Sequence, residues 1–247
     1  MNTLPFPSLK SAISQLRDVL RPNYTALKGK IGILGGTFDP PHLGHLAAAQ
    51  HAKKACGLDA LLFVPAKRNP LKTCSPQVSD LARLEMLALS IGSLFPPQAF
   101  LTASALQAAA KCQGFYLCEL ELALPAPSYT VDLLSGLRQQ MPQMSALTFL
   151  LGADNLAALP RWKDIHRVFE LAELVPMQRG AYSLQDLERD LGQLQGQLSE
   201  AQIAHLHAKY LAFDSPQGSS SAIRSGQSTA TLVPWVQQYI TENRLYL

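Results

Sequence analysis

The chain predicts an α/β fold: an open, doubly wound parallel sheet with helices on both faces. Three observations carry this. Short, continuously apolar runs, such as Ala60-Leu61-Leu62-Phe63-Val64-Pro65 and Ala146-Leu147-Thr148-Phe149-Leu150-Leu151, fit strands buried on both faces. Helical apolar periodicities separate them, as a βαβ chain requires. The first run, Ile31-Gly32-Ile33-Leu34, leaves through paired glycines into a polar turn and a helix start.

Composition narrows the class. The chain has 247 residues, 47% hydrophobic, enough for a buried core. A formal charge of +3 argues against nucleic acid as a partner but allows a local site for a small anion. The four cysteines, Cys56, Cys74, Cys112 and Cys118, show no zinc-like spacing and read as free thiols in a reducing cytoplasm. No apolar run is long enough for a membrane span, and no secretory signal is recognisable.

Residues 1–29 form an N-terminal extension. Leu9, Ile13, Leu16 and Leu20 recur at helical spacing before Arg21-Pro22-Asn23 stops the helix. An amphipathic helix packed on the domain is preferred over an organelle-targeting segment, because Asp18 is present and a run of arginines is not. Residues 30–247 form the main domain.

That domain opens on Gly35-Gly36-Thr37-Phe38-Asp39-Pro40-Pro41-His42-Leu43-Gly44-His45. Glycines allow a sharp turn and close approach of a ligand to backbone N–H groups. A helix starting near Pro41 or His42 aims its unpaired N–H groups at the same place, which suits phosphate. His42 and His45 lie on one face, a turn apart. Neither the Walker lysine nor the Gly-x-Gly-x-x-Gly fingerprint is present.

The second strand exit carries Lys67, Arg68 and Lys72, either a phosphate-holding cluster at the ligand edge of the sheet or a solvated loop. Residues 79–92 are helical, with Leu81, Leu84, Met86, Leu87 and Ile91 as the apolar side, and residues 116–122 alternate like a strand. Ser128-Tyr129-Thr130 opens the next helix, as a cap or as ligand donors. The strand at 146–151 leaves through Gly152-Ala153-Asp154, a carboxylate placed for a ribose hydroxyl. Trp162, after Leu159-Pro160-Arg161, either packs or stacks an aromatic ring. Residues 173–177 form a strand ending in Gln178-Arg179-Gly180.

Leu184, Leu187, Leu191, Leu194 and Leu198 mark residues 181–210 as a helical insertion that packs on its own domain or forms an oligomer seam. Residues 212–214 end a last strand. Ser219-Ser220-Ser221-Ala222-Ile223-Arg224 then offers hydroxyls and a guanidinium at a helix start, an anion site or a flexible serine loop. Residues 233–247 close as a helix with Trp235, Val236, Tyr239 and Ile240.

Together these motifs resemble the bacterial nicotinate-nucleotide adenylyltransferases of the nucleotidylyltransferase superfamily. Gly35-Gly36-Thr37-Phe38-Asp39-Pro40 with His42-x-x-His45, and Ser220-Ser221-x-Ile223-Arg224, carry the superfamily likeness. Ser128-Tyr129-Thr130, Leu151-Gly152-Ala153-Asp154, Leu159-Pro160-x-Trp162 and residues 236–246 narrow it to this family.

The resemblance implies a Rossmann-like fold and transfer of AMP from ATP to nicotinate mononucleotide, with Mg2+ carried on the ATP. His42, His45 and Arg224 would be catalytic. Gly35, Gly36, Thr37, Phe38, Gly152, Asp154, Ser220 and Ser221 would bind ATP. Asp39, Lys72, Tyr129, Thr130, Trp162 and Arg179 would fall to the mononucleotide. No protein-held metal is implied, nor nucleic acid or membrane, and a homo-oligomer stays open.

Three positions depart from the family pattern: Pro70-Leu71-Lys72 in place of Pro-His-Lys, Ser221 in place of threonine, and the register of Gln178-Arg179-Gly180. The alternatives are a related transferase acting on nicotinamide mononucleotide or phosphopantetheine, and a non-catalytic nucleotide-binding regulator. The acceptor phosphate is already anionic, so in-line positioning and charge neutralisation suffice, with His42 and His45 protonated beside the phosphates.

Overall fold

A computed structural model describes residues 8–68, 75–142, 144–214, 219–226 and 231–246. The expectation for Lys72 lies outside the described residues. The chain begins with α1 (Leu9–Leu20), then β1 (Lys30–Gly36), α2 (Leu43–Ala55), β2 (Ala60–Pro65), α3 (Asp80–Gly92), α4 (Ala103–Gln113) and β3 (Phe115–Leu117). It continues through α5 (Leu120–Ala123), α6 (Thr130–Gln140), β4 (Ala146–Gly152), α7 (Ile165–Leu171) and β5 (Glu173–Met177). The remaining helices are α8 (Leu184–Gln193), α9 (Glu200–Ala208), α10 (Ser220–Arg224) and α11 (Pro234–Glu242).

The five strands form one parallel sheet in the order β3-β2-β1-β4-β5. Side chains alternate between two cores. Leu61 and Phe63 of β2 and Leu150 of β4 face α1, α2, α3, α4 and α11. Ile31 and Ile33 of β1, Leu62 and Val64 of β2, and Leu147, Phe149 and Leu151 of β4 face α6, α7, α8 and α9. Both faces are covered, which explains why the strands read as continuous apolar runs. The predicted Rossmann-like, doubly wound architecture is the one observed.

Helix α1 buries Leu9, Ala12, Ile13, Leu16 and Leu20, and the Leu16 side chain lies where a Cβ on Gly92 of α3 would stand, 2.7 Å away. The leucine-rich segment divides into α8 and α9. Leu187, Leu191, Leu194 and Leu198 are buried against their own chain, while Leu184 is exposed. Gly196 adopts φ +76° between the two helices, a turn that glycine takes without penalty.

Three local expectations change, and one helix was not expected. The strand expected over residues 116–122 is only Phe115–Leu117. Beyond it the chain coils into α5, where Glu121 accepts from the Ser128 hydroxyl at 2.6 Å and the Leu122 carbonyl accepts from Lys67 Nζ at 2.9 Å. These ties draw the segment over the β2 exit and away from the ladder.

The strand expected to end at 212–214 is one bridge, Met177 to Leu211. There the Phe213 N–H turns to the Gln178 side chain at 3.0 Å, which ends the pairing. On α3, Leu84, Met86, Leu87 and Ile91 are buried as expected, while Leu81 is 52% exposed and Arg83 is fully buried. Helix α4 has only Leu106 and Ala110 buried, too sparse a stripe to announce itself in the sequence. No helix among the described residues is long and apolar enough to cross a membrane.

Candidate active site

The sheet places the site. From β1 the chain runs outward to β2 and β3, then crosses back to β4 and β5, so β1 and β4 flank the topological switch point. Ligands bind in the crevice at the carboxyl ends of strands at such a point. Gly35 and Gly36 end β1, and Gly152 ends β4.

The two glycines serve different ends. A Cβ on Gly35 would meet only the Phe149 ring, at 3.7 Å, and the residue is exposed. Gly35 therefore leaves open backbone at the strand exit. A Cβ on Gly36 would stand 2.9 Å from Phe38 Cζ, so Gly36 is required by internal packing.

The loop that follows is tied from several directions. Arg83, fully buried, donates to the carbonyls of Thr37 and Ala66 at 2.7 Å each and pairs with Asp80 at 2.6 Å. It thereby fixes the exits of β1 and β2 relative to each other. Phe38, at φ +49°, is 1% exposed, with its ring edge-on to His45 at 4.9 Å. Asp39 is 2% exposed. Its Oδ1 accepts from the Tyr246 hydroxyl at 2.7 Å and its Oδ2 from the Gln77 N–H at 2.8 Å.

At Phe38 and Asp39, both expected at the substrates, the ring and the carboxylate are turned inward and shape the loop. A bulky ring needs burial and a buried carboxylate needs donors, and this loop supplies both.

His42 is the N-cap of α2, and its ring lies 3.8 Å from the His45 ring, centroid to centroid, at 33°. The His42 backbone N–H donates to His45 Nδ1 at 3.2 Å, which puts the His45 proton on Nε2. His42 is 5% exposed, and neither of its ring nitrogens has a protein partner among the described residues. Burial, and then the positive charge of Arg179, push its pKa down to about 4. Burial thus leaves His42 neutral in the free protein, whereas the expected protonation belongs to the phosphate-bound site.

The α2 N-terminus is also less open than expected. The Leu43 N–H donates to the Thr231 carbonyl at 2.8 Å.

The serine-arginine motif reaches the same loop from the far end of the chain. Ser219 caps α10 by accepting from the Ala222 N–H at 3.1 Å. Ser220 Oγ donates to the Pro40 carbonyl at 2.9 Å, and Arg224 donates to the Asp39 carbonyl at 2.6 Å and to Ser221 Oγ at 3.2 Å. Structure thus brings His42, His45, Ser220, Ser221 and Arg224 to one loop.

On the β4 side, Asp154 pairs with Arg179 at 3.6 Å, both about half exposed. Asn155 Nδ2 donates to the Gly152 carbonyl at 3.2 Å and to Asp154 Oδ1 at 3.1 Å. Arg179, expected at the pyridine nucleotide, meets Asp154 because β4 and β5 are paired through Gly152 and Met177. Trp162 is half-buried, edge-on to Phe149 at 5.9 Å. Tyr129 caps α6 and lies under Lys163 Nζ at 4.8 Å, while Lys163 also pairs with Asp132 at 3.0 Å. Thr130 is the first residue of α6 and half-buried.

Among the described residues no group of three or more His, Cys, Asp and Glu is arranged to hold a metal ion. No spacing in the sequence points to Arg83 or Gln77, and Tyr246 stands out only as the end of the 236–246 stretch. Arg83 left one signal, a cation inside the apolar period of α3.

A helix start, two stacked imidazoles and a guanidinium at the switch point of a parallel sheet define a nucleotide-handling site of the transferase type. A family model described as cytidylyltransferase-like matches residues 33–226. A probable nicotinate-nucleotide adenylyltransferase of Dehalococcoides mccartyi is 34% identical over 227 residues, covering 88% of this chain and 97% of the relative. One from Aeromonas hydrophila is 35% identical over 231 residues, covering 89% and 98%.

The chain belongs to the cytidylyltransferase-like family and, within it, to the nicotinate-nucleotide adenylyltransferases. Among solved structures, the nicotinic acid mononucleotide adenylyltransferase of Plasmodium falciparum complexed with NaAD aligns with a TM-score of 0.58 at 17% identity, over 88% of this chain and 97% of that one. A putative nicotinate-nucleotide adenylyltransferase from Vibrio parahaemolyticus aligns with a TM-score of 0.51 at 17% identity, over 88% and 95%. At this identity the likeness is one of fold.

Proposed function

We propose that this chain transfers the adenylyl group of ATP to the phosphate of nicotinate mononucleotide. A phosphate oxygen of the mononucleotide attacks the α-phosphorus of ATP, the bond to the bridging α–β oxygen breaks, and pyrophosphate leaves with its electron pair. No enzyme nucleophile or base is required. The residues position the reactants in line and neutralise the leaving charge.

The observation that carries the reading is the buried His42 imidazole, which has no partner among the described residues and lies 3.8 Å from the His45 ring, on the loop whose Asp39 carbonyl accepts from Arg224. A buried polar group without a partner is rare unless a ligand supplies one. Phosphates beside His42 would restore its charge. Ser220, Ser221 and Arg224 then close on the phosphates from the opposite side, over backbone left open at Gly35.

Gly152 and Asp154 take the adenosine, with Arg179 reaching from Asp154 toward the phosphates. Tyr129, Thr130 and Trp162 take the pyridine nucleotide. Mg2+ enters as part of the substrate MgATP, since hard-cation ligands are plentiful on the phosphates. The reading treats residues 1–29 as an extension, residues 30–247 as the transferase domain with residues 181–210 inserted, and the cytoplasm as the place of action.

The test is incubation with MgATP and nicotinate mononucleotide, nicotinamide mononucleotide or phosphopantetheine, following pyrophosphate release. Release with nicotinate mononucleotide well above the other two is expected. Release only with phosphopantetheine, or with none, overturns the reading.

A further inference from the structure

Asp39 joins three segments that are distant in sequence, and each takes a different atom. Tyr246 donates its hydroxyl to Oδ1 at 2.7 Å, and Gln77 donates its backbone N–H to Oδ2 at 2.8 Å. Arg224 donates instead to the Asp39 backbone carbonyl, at 2.6 Å. The phenol and the guanidinium thus meet the same residue, the phenol at its carboxylate and the guanidinium at its backbone carbonyl.

Tyr246 is held in this place. Its backbone is at φ +60°, a conformation that bulky L-residues rarely adopt, so the surrounding contacts must impose it. Burial and the adjoining Asp39 charge push its ionisation well above the usual tyrosine range, so the hydroxyl remains a donor. The charges of Arg224 and Arg83 both act on that hydroxyl, and Arg224 reaches the backbone of the same Asp39 whose carboxylate takes the phenol.

A buried carboxylate that loses a donor seeks another, and a guanidinium is the strongest acceptor-matched group at hand. Without the Tyr246 hydroxyl, Oδ1 of Asp39 would draw Arg224 inward, into a pair that spends its charge inside the protein.

We propose that the Tyr246 hydroxyl is a positioning group for Arg224: by occupying the Asp39 carboxylate, it keeps the guanidinium available to the phosphates of ATP. This rests on the reading of Arg224 as a phosphate-binding residue. The tail of the chain is thereby part of the site, acting through charge as well as through packing.

The test is ATP affinity by titration calorimetry, with kcat and KM, for the full chain and for Y246F, D39N and D39N/Y246F. Y246F is expected to weaken ATP binding about 10-fold and to raise KM for ATP with little change in KM for the mononucleotide. In D39N/Y246F the amide carries no charge to capture Arg224, so affinity should return to within about threefold of the unaltered chain. A mere anchoring role predicts the opposite order, with the double variant no better than Y246F.

That result, or normal ATP affinity in Y246F, overturns the proposal. Thermal melting of each variant is measured alongside. A Y246F protein that melts early but whose ATP affinity is rescued by D39N still supports it. Direct ATP binding needs no acceptor, so ATP binding without pyrophosphate release from nicotinate mononucleotide would defeat the acceptor assignment and leave this test standing.

Discussion

Gly36 and Phe38 are packed so closely that a Cβ on Gly36 would stand 2.9 Å from Cζ of the Phe38 ring. The ring is buried and cannot swing into solvent, so Gly36→Ala is expected to cost about 1–3 kcal/mol of stability by overpacking. Gly35→Ala meets the Phe149 ring at an ordinary 3.7 Å. It should stay within about 1 kcal/mol of the parent while turnover falls, because its methyl group lies over the open strand exit. Urea midpoints and pyrophosphate release measured on both variants check the contrast. Equal behaviour of the two would refute it.

His45→Ala should separate catalysis from folding. The ring lies 3.8 Å from that of His42 and accepts the His42 backbone N–H at 3.2 Å. Loss of that bond costs about 1 kcal/mol. Turnover should fall on the order of 100-fold or more, the scale seen when one transition-state donor is removed. Proportionate losses in stability and rate would remove the catalytic assignment.

Acid should unfold this protein partly through His42. Its pKa in the folded chain is about 4, against about 6.5 when unfolded. Between those values the unfolded chain binds a proton that the folded chain refuses, so the contribution is complete above pH 6.5 and is lost as pH falls toward 4. The loss is at most about 3 kcal/mol. Urea midpoints from pH 7 to pH 4 should show it, with a shallower slope in His42→Gln. ATP binding near pH 6 should take up a proton, read by calorimetry in buffers of different ionisation enthalpy.

Trp162→Ala should raise KM for the pyridine nucleotide while leaving KM for ATP near its parent value, because the proposed site gives the half-buried Trp162 ring to the pyridine nucleotide alone. A matching rise for ATP would mean that Trp162 serves packing alone.

The helix and strand patterns legible in the sequence were the local ones. The α1 stripe, the entry to α6 at Tyr129 and the exit of β4 at Gly152 follow from periodicity and capping within a few residues. Residues 116–122 misled, since alternation favoured a strand while Lys67 and Ser128 pulled the segment into α5. Leu81 misled for a similar reason. Arg83 found three acceptors, the Thr37 and Ala66 carbonyls and the Asp80 carboxylate, which makes burying its charge tolerable.

By itself the sequence determined the parallel α/β class, the glycine exit with its two histidines, and the serine-arginine motif, because each depends on spacing along a single element. Only the tertiary structure decided what those residues do with their charges. It placed β1 beside β4, paired Arg179 with Asp154, gave the Asp39 carboxylate to Tyr246 and Gln77, and left His42 buried and neutral. Those outcomes depend on desolvation and on partners up to 207 residues away, and no local pattern encodes either.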